Sequence, residues 1–78
     1  MPTVLRSGPY RFFFYASDRD EPVHIHVERD EKVAKYWLDP PRLQNSGGFN
    51  RLELKQILLI VKENQASLME AWNEYFGI

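Results

Sequence analysis

The chain contains no cysteine. That excludes a disulfide scaffold, a thiolate zinc site and cysteine-based nucleophilic catalysis. It also lacks a charge of one sign: ten basic residues stand against eleven acidic ones, a net charge of −1. The broad positive field of a typical duplex-DNA binder is therefore absent, and only a local basic patch can form. The longest apolar run, Ile57 to Val61, is far too short to span a membrane. Nothing near the N-terminus reads as a signal peptide, since Arg6 and Arg11 bracket only a short stretch. The expected setting is cytoplasmic, away from membranes. No phosphate-binding loop is present, because Gly47-Gly48 lacks the lysine and the strand context. Internal repeats, paired carboxylates and a serine–histidine arrangement are also missing.

What remains is compact and aromatic. Seventy-eight residues form one expected domain, residues 1–78, and 14% of them are aromatic, a dense apolar supply for a small core. The character of the chain changes near Asp39. Before it, aromatic and β-branched runs alternate with turn residues, so strands are expected within 3–38: Thr3–Ser7, Tyr10–Ala16, Val23–Arg29 and Val33–Leu38. Asp39-Pro40-Pro41 is expected to end the sheet, leaving 39–49 as a loop. One long helix is then expected over about 50–76, opened by Asn50 and Glu53 as a capping box and closed by Gly77. Leu54, Ile57, Leu58, Val61, Leu68, Met69, Trp72, Tyr75 and Phe76 fall within about 60° of one line at 100° per residue, interrupted by Gln65. The expected fold is α+β, an antiparallel meander of three or four strands with this helix across one face. Such a helix would run about 39 Å against about 23 Å for a seven-residue strand. Either it overhangs the sheet or it breaks near Asn64, where Ser67-x-x-Glu70 offers a second cap. The unbroken stripe favours continuity.

The third strand fixes the faces. Val23, Ile25 and Val27 point one way, His24, His26 and Glu28 the other. A two-residue turn at Asp30-Glu31 pairs Arg29 with Lys32, Glu28 with Val33, Val27 with Ala34, His26 with Lys35, Ile25 with Tyr36 and His24 with Trp37. Phe12 and Phe14 then face the core. Arg11, Phe13, Tyr15, His24, His26, Glu28, Lys35 and Trp37 share the opposite face, expected to be open to a ligand or covered by the N-terminal strand, the 39–49 loop or a second copy.

Three chemistries suit that face. Two histidines and a lysine can cleave RNA without metal, with His24 and His26 as acid and base and Lys35 stabilising the charged phosphorane. Arg11, Lys35 and the aromatics Phe13, Tyr15 and Trp37, with Glu28 beside them, form a binding surface for protein or stacked single-stranded RNA. Histidines two apart on a strand can also share a metal. Four residues separate Glu28 from His24, so a third ligand would come from Asp18, Asp20 or Asp39, and Lys35 opposite His26 opposes a cation. No metal is favoured on these grounds, His24 and His26 being the candidates if there is one, and no cofactor is expected.

GPYRFFFY (8–15), EPVHIHVER (21–29), AKYWLDP (34–40) and EAWNEYFG (70–77) together resemble the bacterial family catalogued as domain of unknown function 4160. The resemblance implies a prokaryotic protein whose gene often lies beside one for a second small domain of unknown function, number 2442, an arrangement similar to a toxin–antitoxin pair. It carries no catalytic residue. Leu52, Leu59, Ile60 and Ala71 lie off the main helical stripe, so the expected state is a homodimer or a heteromer with the neighbouring gene's product.

Overall fold

A computed structural model describes residues 3–77. Five strands form one antiparallel sheet in chain order: β1 (Thr3–Ser7), β2 (Tyr10–Phe13), β3 (His24–Arg29), β4 (Lys32–Leu38) and β5 (Pro41–Asn45). Two helices follow, α1 (Arg51–Glu63) and α2 (Gln65–Phe76), and a 3₁₀ turn, Ala16–Asp20, bridges β2 and β3. The α+β class holds. The strand count and the single helix need correction.

The β3–β4 register is the one that alternation and the two-residue turn dictate, from Arg29 opposite Lys32 to His24 opposite Trp37. Asp30 takes φ 57° in that turn, a left-handed conformation that aspartate tolerates better than most residues. Phe12, Phe14, Ile25, Val27, Ala34, Tyr36 and Leu38 line the core side, and Ile57, Val61, Leu68, Trp72 and Phe76 pack on them from the helices. Tyr75 is the exception in the helical stripe, 45% exposed although its ring lies against Phe14.

The segment expected as a loop supplies the fifth strand. Pro41 lacks an N–H, but it is the first residue of an edge strand, where that donor is dispensable. Prolines and the absence of β-branched residues in PRLQN hid this strand from pattern reading. The helix breaks at Asn64, whose amide N–H bonds back to Ile60 and Val61 and whose Nδ2 donates to the Ile60 carbonyl. The folded molecule measures 34 Å along its longest axis, whereas one straight helix over the same residues would run about 39 Å. Ser67 takes no part in the break, since α2 already starts at Gln65. Gln65, the polar gap in the stripe, donates from Nε2 to the Leu38 carbonyl at 2.7 Å and so ties α2 to the end of β4.

Asn50 caps α1 by accepting the Glu53 N–H at 2.9 Å. Glu53 does not reciprocate. Its carboxylate accepts two bonds from Arg29, each 2.8 Å, and one from the Tyr10 hydroxyl at 3.1 Å, joining α1 to β3 and β2. Hydrogen bonding from Arg29 holds the Glu53 carboxyl below its usual 4.5, against the opposing effect of burial. Glu28 and Glu21 are lowered likewise, chiefly by hydrogen bonds from Arg11 and Lys35. A carboxylate with a depressed folded pKa contributes stability that is complete above the unfolded value and is lost as pH falls through the folded one. Stability should therefore decline on acidification below about pH 4.5. Glu53→Gln should flatten that decline while lowering stability at neutral pH. Urea titrations of both chains across the range check it, and equal acid slopes would contradict it.

Candidate functional site

The sheet face away from the helices is not open. β2 stops pairing with β3 at Phe13, opposite His26, two residues short of a partner for His24. The chain leaves the sheet there and folds back as the 3₁₀ turn Ala16–Asp20, over the outer side of β3. Asp18 starts this reversal. Its Oδ2 accepts the Tyr15 N–H at 2.8 Å, and its own N–H donates to the Tyr15 carbonyl at 3.0 Å. The cover is therefore this turn, and not the N-terminal strand or the 39–49 segment, both of which lie within the sheet as β1 and β5.

Underneath it, three side chains converge. Asp18 Oδ2 accepts a hydrogen bond from His26 Nε2 at 3.1 Å and lies 3.2 Å from His24 Nε2. One ligand atom from each of the three residues falls within 4.8 Å of the others. Asp18 and His24 are buried, and His26 is half-buried at the rim. His24 has no exposed surface. Its ring sits among those of His26 (5.1 Å), Trp37 (5.8 Å) and Trp72 of α2 (5.0 Å), reaching the helix layer where β2 no longer intervenes. Its Nδ1 is 2.8 Å from the Pro22 carbonyl oxygen. A carbonyl can only accept, so Nδ1 carries the proton. Nε2 is the buried side-chain nitrogen without a hydrogen-bond partner among the described residues. For His26, burial first and then the nearby His24 and Lys35 push the imidazole below 6.5, while Asp18 pulls it up; the net direction is down, towards the neutral ring.

The other expected site residues are arranged around this cluster. Phe13 faces outward as parity requires, yet it is buried, stacked on His26 at 5.5 Å and edge-on to Tyr15 at 5.3 Å. Tyr15 remains exposed at the rim, 4.7 Å from His26. Arg11 lies over Phe13 and donates to Glu28 at 3.0 Å and to Thr3 Oγ1 at 2.9 Å. Lys35 pairs with Glu21 and lies over Trp37, which is half-buried. Both cations thus meet a carboxylate, and the expected basic patch is largely neutralised. Glu28 faces Arg11 and stays out of the cluster, while Asp20 and Asp39 are exposed on their turns. Asp18 alone of the three weighed aspartates completes the histidine pair. Its signal in the sequence is its position three residues after Tyr15, where a short helical turn lets an aspartate accept the preceding N–H.

These features define a small α+β domain with a five-stranded antiparallel meander, a helical layer on one face and a carboxylate–imidazole cluster under a turn on the other. The chain belongs to the family described as domain of unknown function DUF4160, which it matches over residues 10–73, from the start of β2 into α2 and across the whole cluster. No curated protein and no solved structure matches it. No helix among the described residues is long and apolar enough to cross a membrane.

Proposed function

We propose that the chain is a protein-binding module, one member of a pair similar to a toxin–antitoxin pair, with the outward side of α1 as its contact surface. The observation that carries this reading is the pair Leu52 and Leu59, 66% and 53% exposed on the side of α1 opposite buried Ile57 and Val61. One exposed leucine is ordinary. Two leucines two turns apart make a second apolar stripe on a helix whose first stripe is already satisfied. The occupant is the product of the neighbouring gene that the family resemblance implies, and self-association is the competing outcome. The contact surface moves from the sheet face to α1 because the turn Ala16–Asp20 and two ion pairs close the former. Single-stranded RNA keeps only a secondary place, since Arg11 and Lys35 are both paired. The metal-independent ribonuclease reading is not carried further: two imidazoles would have to reach one phosphate, and His24 has no exposed surface.

Co-expression with the neighbouring product tests the module. The native chain should co-purify with it. Leu52→Glu/Leu59→Glu should weaken the complex at least about tenfold while leaving the circular dichroism unchanged, because both side chains are exposed. Unaltered co-purification of the double variant would place the contact elsewhere. A native chain that stays a 9.3 kDa species with neither the product nor a second copy would end the module reading.

A further inference from the structure

We infer that Asp18, His24 and His26 form a binding site for one divalent first-row transition ion of the zinc type. Four observations converge on it. The donor atoms are two imidazole nitrogens and one carboxylate oxygen, a set that suits zinc or non-haem iron and leaves positions for water. Their spacing is close to that of ligands on a common ion. Asp18 Oδ2 lies 3.2 Å from His24 Nε2 and accepts the His26 Nε2 proton at 3.1 Å, a proton that the ion would replace on binding, and all three donor atoms lie within 4.8 Å of one another. Tetrahedral ligands about 2.0–2.2 Å from a metal stand roughly 3.3–3.6 Å apart.

The orientation of His24 is the third and strongest. Its Nδ1 proton is held by the Pro22 carbonyl, and its Nε2 is fully buried and without a hydrogen-bond partner beside the carboxylate. With the ring neutral, Nε2 and the carboxylate oxygen would be two acceptors at 3.2 Å, which repel each other unless something positive lies between them. A ring N–H from a doubly protonated His24 would satisfy the pair only along the N–H direction, and the contact lacks that hydrogen-bond alignment although it is within reach. A cation to one side of both atoms suits the geometry better. Metal-bound histidines also usually donate their second nitrogen to a backbone carbonyl or carboxylate, as His24 does to Pro22.

The fourth observation concerns the neighbours. Lys35, which faces His26 across the β3–β4 pair, is tied to Glu21, so its charge is offset. Asp18 is anchored by the Tyr15 N–H, which fixes the carboxylate before any ion arrives. Half-buried His26 gives the site its opening at the rim, beside exposed Tyr15. Such an ion would clamp the turn Ala16–Asp20 onto β3.

The test is titration of the full, chelator-stripped chain with zinc alone, followed by calorimetry and by nitrogen NMR of the imidazoles. One ion should bind per chain, with Nε2 of both histidines shifting while Nδ1 of His24 keeps its proton. Asp18→Asn and His26→Asn should each weaken binding at least about 100-fold, beyond the 10–100-fold typical of outer-shell changes. If a variant unfolds, the imidazole shifts of the native chain still decide the matter. Zinc bound without Nε2 shifts, binding unchanged in both variants, or a His24 ring protonated on both nitrogens and indifferent to zinc would each overturn the site.

Discussion

Trp72→Ala is expected to remove about 3–5 kcal/mol of stability, the usual cost of deleting a buried tryptophan. A domain of 78 residues holds only about 4–12 kcal/mol at the typical 0.05–0.15 per residue. The variant should therefore be partly or wholly unfolded at 37 °C. Trp72 is 3% exposed and joins three parts of the molecule. Its ring meets Phe76 at 4.5 Å within α2, Phe14 at 5.5 Å beyond the end of β2, and His24 at 5.0 Å at the start of β3. Truncation opens a cavity that three rigid rings cannot collapse into. Trp72→Phe keeps most of the contact and should cost less than half as much. Urea denaturation followed by circular dichroism measures both, and a Trp72→Ala chain within 1 kcal/mol of native, roughly the centre of ordinary point substitutions, would contradict this packing.

Gly47→Ala should be the most damaging change of a single methyl group, costing about 3 kcal/mol from steric overlap and left-handed strain together. Gly47 has φ +59°, and a Cβ there would stand 1.9 Å from the Val33 carbonyl oxygen and 2.3 Å from its carbon. Those are backbone atoms of β4, held by pairing with β3, so the obstacle cannot rotate away. Gly8 is the internal control. Its φ of +57° is nearly the same, but nothing lies within 4 Å of its absent Cβ. Gly8→Ala should therefore show the backbone penalty alone, about 1–2 kcal/mol. The difference between the two variants reports the close approach of the β5–α1 connection to β4. Equal losses would mean that this approach is not present in solution.

Sequence alone determined the α+β class, the hairpin register from Arg29–Lys32 to His24–Trp37, the inward set Phe12, Phe14, Ile25 and Val27, the Asn50 cap and the Gly77 stop. All of these are local. Period-two alternation, a two-residue turn and a 100° stripe act over a few residues, so they are legible without knowing what lies across the molecule. Tertiary structure decided the rest. β5 exists because the edge of β4 offers a row of backbone partners, which outweighs the weak strand character of PRLQN. The break at Asn64 goes with bonds that no helical wheel contains, from the Asn64 side chain to the Ile60 carbonyl and from Gln65 to the distant Leu38 carbonyl. Asp18 reaches His24 and His26 only because the chain reverses over the outer face after Phe13, and the same reversal buries the ring of His24. Pairing of Arg11 with Glu28 and of Lys35 with Glu21 likewise joins residues at least fourteen apart in the chain. Residue types and strand parity could nominate that face, but its charge balance and its donor geometry depend on which distant loop comes to rest on it.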